Sequence, residues 1–240
     1  MPRYRNRSVF SNMSGYCKDY QMPLIMDFLR VIATHNNRDW FMEHKEQYQE
    51  AHEAFNRLVS DLLSRVGEFD ESVRWLKPAD CTYRFYRDVR FSADKSPYKR
   101  HFGCYISARG KKSLHGGYYL HLQPGESMMA GGCYCLPTNI LRVVRNTIVE
   151  RTDEFRTIVE NPRFRQLFTA VTFDPLKVLP HGIPKDFAFP QYVKCRNYCV
   201  THSFDDSFFS QSDWMDQVVA GFKTMKPFMD FVNDTVDDYI

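Results

Sequence analysis

Apolar residues recur at helical spacing in the N-terminal part of the chain, and they predict two helices. The first begins at Pro23, a residue that suits the first position of a helix. The second extends from Arg38 to about Val66, because one apolar stripe continues over that whole length. Three polar residues near the junction are expected to act as helix caps: Asn36, Asn37 and Asp39.

In the middle of the chain the pattern changes to alternation, which is typical of strands. Alternating or short apolar runs predict strands over residues 81–91, 101–107, 117–123 and 127–135, with a further strand over residues 198–202. The connections between the first four are short, and short connections favour antiparallel pairing over crossover units. Gly131 and Gly132 indicate a bulge or a close backbone contact.

Helical spacing returns in the second half of the chain. It predicts helices over residues 138–150, with Thr138 as the cap, over residues 152–161, and over residues 212–236, where Pro227 is expected to bend the helix or restart it. Residues 162–190 are expected to be extended or looped, and a short helix is expected to precede the strand at residue 198.

These elements predict an α+β fold in which an antiparallel sheet from the middle of the chain packs against a long N-terminal helix and C-terminal helices. Residues 1–21 are polar and aperiodic and are expected to form a flexible tail. Without an internal repeat or a low-complexity linker, residues 22–240 are expected to form a single domain.

Composition adds three expectations. The formal net charge of the 240 residues is only +3, so global charge gives no reason to expect nucleic acid as a partner. The seven cysteines are an odd number without a Cys-x-x-Cys pair, which favours buried, reduced thiols and therefore the cytoplasm. Cys133 and Cys135 would share one strand face and give a weak indication of metal, but no metal site or cofactor is predicted. No secretory signal or membrane-spanning run is visible.

The densest chemistry lies in residues 83–100, which hold six Lys and Arg residues and two Asp residues. In a strand, Phe85, Arg87, Val89 and Phe91 would share one face, and Arg84, Tyr86, Asp88 and Arg90 would share the other. Guanidinium groups bind carboxylates and phosphates through paired donors, and Lys95 and Lys99 would add positive charge from the turn that follows.

Residues 83–100 therefore predict an anion-binding site. The candidate ligand-binding residues are Arg84, Arg87, Asp88, Arg90, Ser92, Lys95, Tyr98 and Lys99. An ion-pair network that stabilises the fold explains the same residues, since a buried Arg87 would need a partner. Both interpretations stay open.

His121 is the candidate general base of the sheet. It lies between Leu120 and Leu122 and would face away from them, on the same side as Tyr119 and Gln123. A histidine that is only hydrogen-bonded within a sheet face explains the position equally. The sequence shows no Ser-His-Asp order, nucleophile elbow, Walker-type loop or dinucleotide-binding glycine motif.

The motifs now assembled resemble those of the domain of unknown function 2461 (DUF2461) family, a set of mainly microbial proteins. The resemblance lies in residues 36–41, 44, 45 and 48, in residues 84, 86–92 and 94–99, and in residues 117–122, 124, 125, 131 and 132. Ala93 departs from the polar residue that the family pattern implies. The resemblance covers residues 22–240 and implies a shared fold, but it implies no particular activity.

The sequence thus predicts a protein that binds a small anionic ligand at residues 84–99, either as an enzyme or as a binding protein. The alternative is an interaction module, or a nucleic-acid-binding protein in which Arg109, Lys111 and Lys112 join the central cations on one open surface. No membrane partner is expected, nucleic acid is disfavoured, and the oligomeric state is left open.

Overall fold

The computed structural model describes residues 20–239. The α-helices in this part of the chain are α1 (Met22–Thr34), α2 (Arg38–Glu43), α3 (Lys45–Val66), α4 (Pro78–Cys81), α5 (Thr138–Glu150), α6 (Thr152–Val159), α7 (Pro162–Leu167), α8 (Pro190–Val193) and α9 (Trp214–Asp237). The strands are β1 (Phe102–Ile106), β2 (Gly117–Leu122), β3 (Ser127–Cys133) and β4 (Tyr198–Phe204). Short 3₁₀ helices lie at Glu71–Val73 and Asp206–Ser210.

The four strands form one antiparallel sheet in the order β1-β2-β3-β4. Helices α5 to α8 lie in the chain between β3 and β4, so the last strand joins the sheet after a long helical excursion. One face of the sheet is covered by helices, with α3 against β1 and α9 against β3. The predicted α+β fold with an antiparallel sheet is confirmed.

Gly131 and Gly132 lie where β3 closely approaches α9 and β4. A side chain at Gly131 would collide with the Met225 sulfur, and one at Gly132 would collide with the Tyr198 carbonyl oxygen. Gly132 also has a φ of +118°, a conformation that glycine adopts without steric cost. The interpretation as a close backbone contact is confirmed for Gly132, and the absence of a side chain at Gly131 allows α9 to lie directly on β3.

The long helix predicted for residues 38–66 is interrupted, and that prediction was wrong in one respect. His44 has φ −110° and ψ 24°, which lie outside the helical region and divide the stretch into α2 and α3. The ring of His44 stacks on that of Trp40 at 4.1 Å, and its Nδ1 lies 2.8 Å from the Trp40 carbonyl oxygen. An apolar stripe continues through such a break, so the pattern gave no sign of it.

The strand predicted for residues 81–91 is not formed. Helix α4 includes the first of these residues, and the remaining ladder contacts are two isolated bridges, Thr82 with Cys104 and Tyr86 with Tyr98. The alternation of burial nevertheless persists, since Phe85 is buried while Arg84 and Tyr86 are exposed. Here the two-residue period correctly indicates which side chains are buried, although the segment does not form a regular strand.

Several smaller expectations are also corrected. Pro137 is the N-cap of α5, and Thr138 is the first helical residue and makes no side-chain cap bond. Helix α7 occupies the start of the stretch that was expected to be extended. Helix α9 continues through Pro227 and does not restart there, while the expected bend stays a prediction. The predicted tail lies, up to residue 19, outside the described residues.

Candidate ligand-binding site

Residues 83–100 form an excursion that is closed at its base by backbone hydrogen bonds. The Arg87 N–H donates to the Pro97 carbonyl, and the Lys99 N–H donates to the Phe85 carbonyl, each at 2.9 Å. Phe85 and Tyr98 are almost fully buried, with 4% and 2% of their surface exposed. The base of the excursion is therefore fixed to the core, while its charged tip extends into solvent.

An aromatic cluster holds this base in place. The ring of Tyr98 stacks on Phe41 at 4.1 Å, and the ring of Phe85 packs 5.7 Å from Phe28 and 5.5 Å from Phe102. Such ring pairs add about 0.5–1.5 kcal/mol each to the free energy of burial. Residues 84–100 are thus attached to α1, α2 and β1 by packing.

Asn36 ties the same base to the end of α1. Its side-chain nitrogen donates to the Tyr98 carbonyl at 2.9 Å, and its side-chain oxygen accepts from the Tyr98 N–H at 3.0 Å. The Asn36 side chain therefore bonds both backbone groups of Tyr98, as the backbone of a neighbouring strand would. The expected cap role is correct for Asn37, which accepts from the Trp40 N–H, but it was wrong for Asn36.

Most of the predicted anion-binding cations have partners within the excursion. Arg87 donates to Asp94 at 2.7 Å, to the Ser96 carbonyl at 3.0 Å and to the Ser92 hydroxyl at 3.3 Å. Hydrogen bonds from Ser96, followed by the Arg87 guanidinium, hold the pKa of Asp94 well below its usual range. Arg87 and Asp94 therefore brace the turn.

Arg90 and Lys95 also have their partners within the excursion. Arg90 and Asp88 share two hydrogen bonds, of 2.7 and 3.0 Å, which lower the pKa of the Asp88 carboxyl. Lys95 donates to the Val89 carbonyl at 3.0 Å. Neither cation points toward a shared ligand position.

Arg84 and Lys99 differ from the other cations of the excursion. Within the described residues neither forms a salt bridge, and burial followed by the nearby Arg84 charge lowers the pKa of Lys99. The Lys99 ammonium lies 5.1 Å from the centre of the Tyr83 ring. Tyr83 is the point at which the charged excursion meets a cavity.

This cavity, of about 450 Å³, lies on the face of the sheet opposite α9, and we call it the sheet-face cavity. One row of paired residues crosses its floor: Tyr105, Tyr119, Ala130 and Thr201. A second row follows: Gly117, Gly132 and Cys199. Residues paired across neighbouring strands point to one side of a sheet, which is why both rows reach the same space.

The walls come from segments that are distant in sequence. Tyr83 enters from the charged excursion, Ser113 and His115 from the β1–β2 connection, and Tyr134 and Phe173 from beyond β3. The rings of Tyr134 and Phe173 stack at 5.9 Å and are 67% and 55% exposed. Exposed stacked rings at the mouth of a concave space are typical of ligand sites.

Over residues 20–239, the lining of the cavity holds basic side chains without acidic ones. It contains Lys111 and His115 but no Asp or Glu. The Lys111 ammonium donates to the carbonyls of Ala79 and Thr82, at 3.1 and 2.7 Å, and lies 5.7 Å from the centre of the Tyr83 ring. An ammonium has three hydrogens, so after these two hydrogen bonds Lys111 has one further hydrogen to donate.

The tyrosines of the floor are neutral donors. Burial raises the pKa of both Tyr105 and Tyr119 well above the usual value. The Tyr105 hydroxyl donates to the His115 carbonyl at 2.9 Å, which attaches the β1–β2 connection to the floor. Burial also raises the pKa of the Cys199 thiol to about 11, so this thiol stays protonated at neutral pH.

His121 lies on the open face as expected, beside Tyr119. Its Nδ1 is 2.8 Å from the Tyr119 hydroxyl, its Nε2 is 3.3 Å from the Gln123 side-chain oxygen, and burial lowers its pKa. The ring of His101 lies 4.3 Å away. His121 therefore contacts the cavity through Tyr119, and its role as a general base stays a prediction.

None of the eight predicted ligand-binding residues lines the sheet-face cavity. The alternation along β2 predicted the polar face that carries Tyr119, but five other lining residues were not predicted from the sequence: Tyr105, Ser113, His115, Tyr134 and Phe173. The strand period identifies Tyr105 as a companion of Tyr119 once the β1–β2 register is known. The wall residues come from irregular segments, for which the chain offers no periodic signal.

Two further expectations concern cations and cysteines. Arg109 pairs with Asp237 at 3.2 Å and Lys111 donates to two backbone carbonyls, and the open basic surface stays a prediction. Cys133 is buried at the end of β3, whereas Cys135 is exposed with a φ of 57°, so the two thiols do not share a strand face. In the described part of the chain, no three metal-ligating side chains come together.

Comparisons with known proteins give one match. A family model described as "Conserved hypothetical protein (DUF2461)" matches residues 24–231, a span that contains both the charged excursion and the whole lining of the cavity. Among curated proteins nothing matches the chain, and the same holds for solved structures. Over residues 20–239, no helix is long and apolar enough to cross a membrane.

Proposed function

The chain belongs to the DUF2461 family, and from that premise we propose that it binds a small ligand with a flat ring and a carboxylate or phosphate group in the sheet-face cavity. The anionic ligand expected from the sequence is kept, but its position moves from the tip of residues 84–99 to the cavity beside Tyr83. Arg87 and Arg90 then belong to an ion-pair network that shapes the excursion.

One observation carries this proposal: the cavity combines aromatic walls with a lysine and has no acidic residue in its lining. Tyrosine and phenylalanine rings favour flat apolar groups through stacking. An ammonium group with no carboxylate beside it favours an anion over a neutral ligand. A volume of about 450 Å³ lies in the range of small-molecule sites.

The ligand is expected to lie with its ring among Tyr105, Tyr119 and Tyr134 and its anionic group toward Lys111. The Tyr83 hydroxyl has no hydrogen-bond partner among the residues that the structure describes, so it is available as a second donor. The cytoplasm remains the compartment that we propose, because seven cysteines without a paired spacing suit a reducing environment.

Thermal unfolding with a panel of small ligands tests this function. Benzoate and phenyl phosphate should raise the melting temperature, whereas benzamide, which lacks the charge, and acetate, which lacks the ring, should raise it less. At about 100 times the dissociation constant the stabilisation should approach roughly 2.7 kcal/mol. An equal response to all four compounds would contradict the proposal.

The matched variants are Lys111→Met and Lys112→Met, which remove adjacent ammonium groups. Lys111 lines the cavity, whereas Lys112 is exposed. Lys111→Met should weaken benzoate binding about tenfold or more, since charged hydrogen bonds contribute roughly 1.5–3 kcal/mol. Lys112→Met should leave the affinity unchanged, and an equal loss in both variants would place the anion elsewhere.

A further inference from the structure

The wall of the sheet-face cavity holds a hydrogen-bonded chain of serine, histidine and carboxylate. Ser113 Oγ lies 2.8 Å from Nδ1 of His115, and Nε2 of His115 lies 2.8 Å from Oδ1 of Asp237. A carboxylate only accepts hydrogen bonds, so Nε2–H donates to Asp237, and in the tautomer with that single proton Nδ1 accepts from the Ser113 hydroxyl. The three groups therefore follow the order of nucleophile, base and orienting carboxylate, and the expectation that the chain has no Ser-His-Asp order was wrong.

The three groups lie at the boundary between two cavities. His115 is only 8% exposed and separates the sheet-face cavity from a second space of about 270 Å³, which Asp237 lines. Ser113 lines the sheet-face cavity. The hydroxyl thus faces the proposed ligand, while the carboxylate stands behind the imidazole.

Hydrogen bonds to the backbone N–H and carbonyl of His115 hold this arrangement in place. The His115 N–H donates to Ser113 Oγ at 3.1 Å, and the Tyr105 hydroxyl donates to the His115 carbonyl. Arg109 lies 3.2 Å from the same Asp237 oxygen that His115 contacts and holds that carboxylate from its other side. Serine and histidine two residues apart are thereby fixed relative to the floor of the cavity.

We propose that Ser113, with His115 as its base and Asp237 as the positioning residue, is the nucleophile of a hydrolase that cleaves small carboxylic esters bearing a flat ring. This inference rests on the proposed function, and the anionic ligand is then the carboxylic acid that the reaction releases. The thiol of Cys199, which also lines the cavity, is protonated at neutral pH and is therefore a weak nucleophile there.

The reaction has two balanced halves. Ser113 Oγ forms a bond to the ester carbonyl carbon and its proton passes to His115 Nδ1, after which the carbon–oxygen bond breaks and the leaving alkoxide takes that proton as an alcohol. A water molecule then attacks the acyl-serine, gives a proton to His115, and releases the carboxylic acid as Ser113 recovers its proton. The positive charge that Lys111 brings to the cavity favours the negatively charged tetrahedral intermediates.

Covalent labelling tests the nucleophile directly. A tagged fluorophosphonate should form a phosphonyl ester on Ser113 with loss of fluoride, and peptide mass mapping should locate it there. Hydrolysis of p-nitrophenyl benzoate should release p-nitrophenolate in the same protein. An adduct confined to another residue would overturn the inference.

Variants assign the roles. Ser113→Ala should abolish the adduct, and His115→Gln should slow labelling by roughly a hundredfold or more. Ser203→Ala, on the same face of β4 but outside the lining, should label at the wild-type rate. Unchanged labelling of a folded His115→Gln protein would overturn the role of the base. Ser113→Ala removes one hydroxyl from a half-buried loop position, so its loss of the adduct is readable even where His115→Gln fails to fold.

Asp237 is tested by a signal that a structural role would not change. The ¹⁵N shifts of the His115 ring report which nitrogen carries the proton, and the wild type should show Nε2–H. Asp237→Asn should change that distribution and slow labelling, whereas the neighbouring Asp238→Asn should change neither. Identical ring shifts in the wild type and Asp237→Asn would contradict the positioning role.

Binding and labelling separate the two proposals. Benzoate binding without an adduct on Ser113 would overturn the hydrolase and leave the proposed function standing. An adduct on Ser113 without selective benzoate binding would overturn the proposed ligand and leave the nucleophile standing. A protein that shows neither would overturn both.

Discussion

Arg87 illustrates why a cluster of cations need not be a binding site. Its guanidinium is directed toward Asp94, Ser92 and the Ser96 carbonyl, and its side chain is 25% exposed. Arg90, three residues later, pairs with Asp88, and the Arg90 side chain is 77% exposed. The same residue type therefore has two roles, of which only the first joins separate parts of the excursion.

Replacing Arg87 and Arg90 by methionine should separate these roles. Arg87→Met should lower the free energy of unfolding by about 1–3 kcal/mol, because it leaves partly buried acceptors without their donor. Arg90→Met should change it little, since exposed ion pairs contribute little. Urea unfolding measures both, and a greater loss in Arg90→Met would show that Arg87 does not brace the turn.

Asn36 makes an equally specific connection. It bonds both the N–H and the carbonyl of Tyr98, whereas Asn37 only caps α2. Asn36→Ala should cost about 2–3 kcal/mol, because two buried backbone groups lose their partners, and Asn37→Ala about 1 kcal/mol. Thermal unfolding checks the order of the two losses. Hydrogen exchange should also speed up at the Tyr98 amide in Asn36→Ala alone, and protection that persists there would contradict the account.

The sequence predicted the faces of residues 84–90 better than their partners. Phe85 is buried and Arg87 half-buried, as the two-residue period implies, while Phe91 is 97% exposed because the chain turns before reaching it. Ser113 and His115 were missed because their partner Asp237 lies at the far end of the chain. Hydrogen-bond partners at such separations leave no periodic trace in one sequence.

Among the elements, strands β1 to β4 followed the pattern and the long N-terminal helix did not. The strands were found because alternation continues for as long as a strand does. The break at His44 depends on a stacking contact with Trp40 and a carbonyl contact, and both are invisible to an apolar count. Residues 81–91 were misassigned because Phe85 packs into an aromatic cluster without a ladder to follow.

The two histidines at the start of β1 and in β2 predict a pH dependence. Burial, followed by the nearby His121 and Lys99 charges, lowers the pKa of His101 from 6.5 to about 3, and burial lowers the pKa of His121. Both groups bind protons more strongly in the unfolded chain. Acidification should therefore destabilise the fold as the pH falls from about 6.5 toward 3.

The variant His101→Gln should flatten this dependence. Removing one such group lowers the slope of the unfolding free energy by up to about 1.4 kcal/mol per pH unit within that interval. Urea unfolding of the wild type and the variant at a series of pH values gives the two slopes. Curves that remain parallel between pH 6 and 4 would show that His101 is not buried as a neutral group.

At the scale of the whole molecule, the two faces of the sheet are covered by different kinds of structure. Helices cover the face of Leu120 and Gly131, and irregular segments enclose the face of Tyr105 and Tyr119. The sequence predicts this division, because His121 and Tyr119 alternate with leucines. It could not predict the enclosure, since the cavity walls are contributed by residues 83, 111, 113–115, 134 and 173, which no local pattern connects.

Intermolecular NMR contacts from benzoate to methyl groups show whether the ligand lies in the sheet-face cavity. Ring protons of benzoate should show nuclear Overhauser effects to the methyls of Met128 and Leu114, which line the sheet-face cavity. Effects confined to Val89 and Ala93 would return the ligand to the charged excursion. Effects confined to Val159 and Leu176, which line a separate space of about 660 Å³, would place it among the helices, and either result would contradict the account.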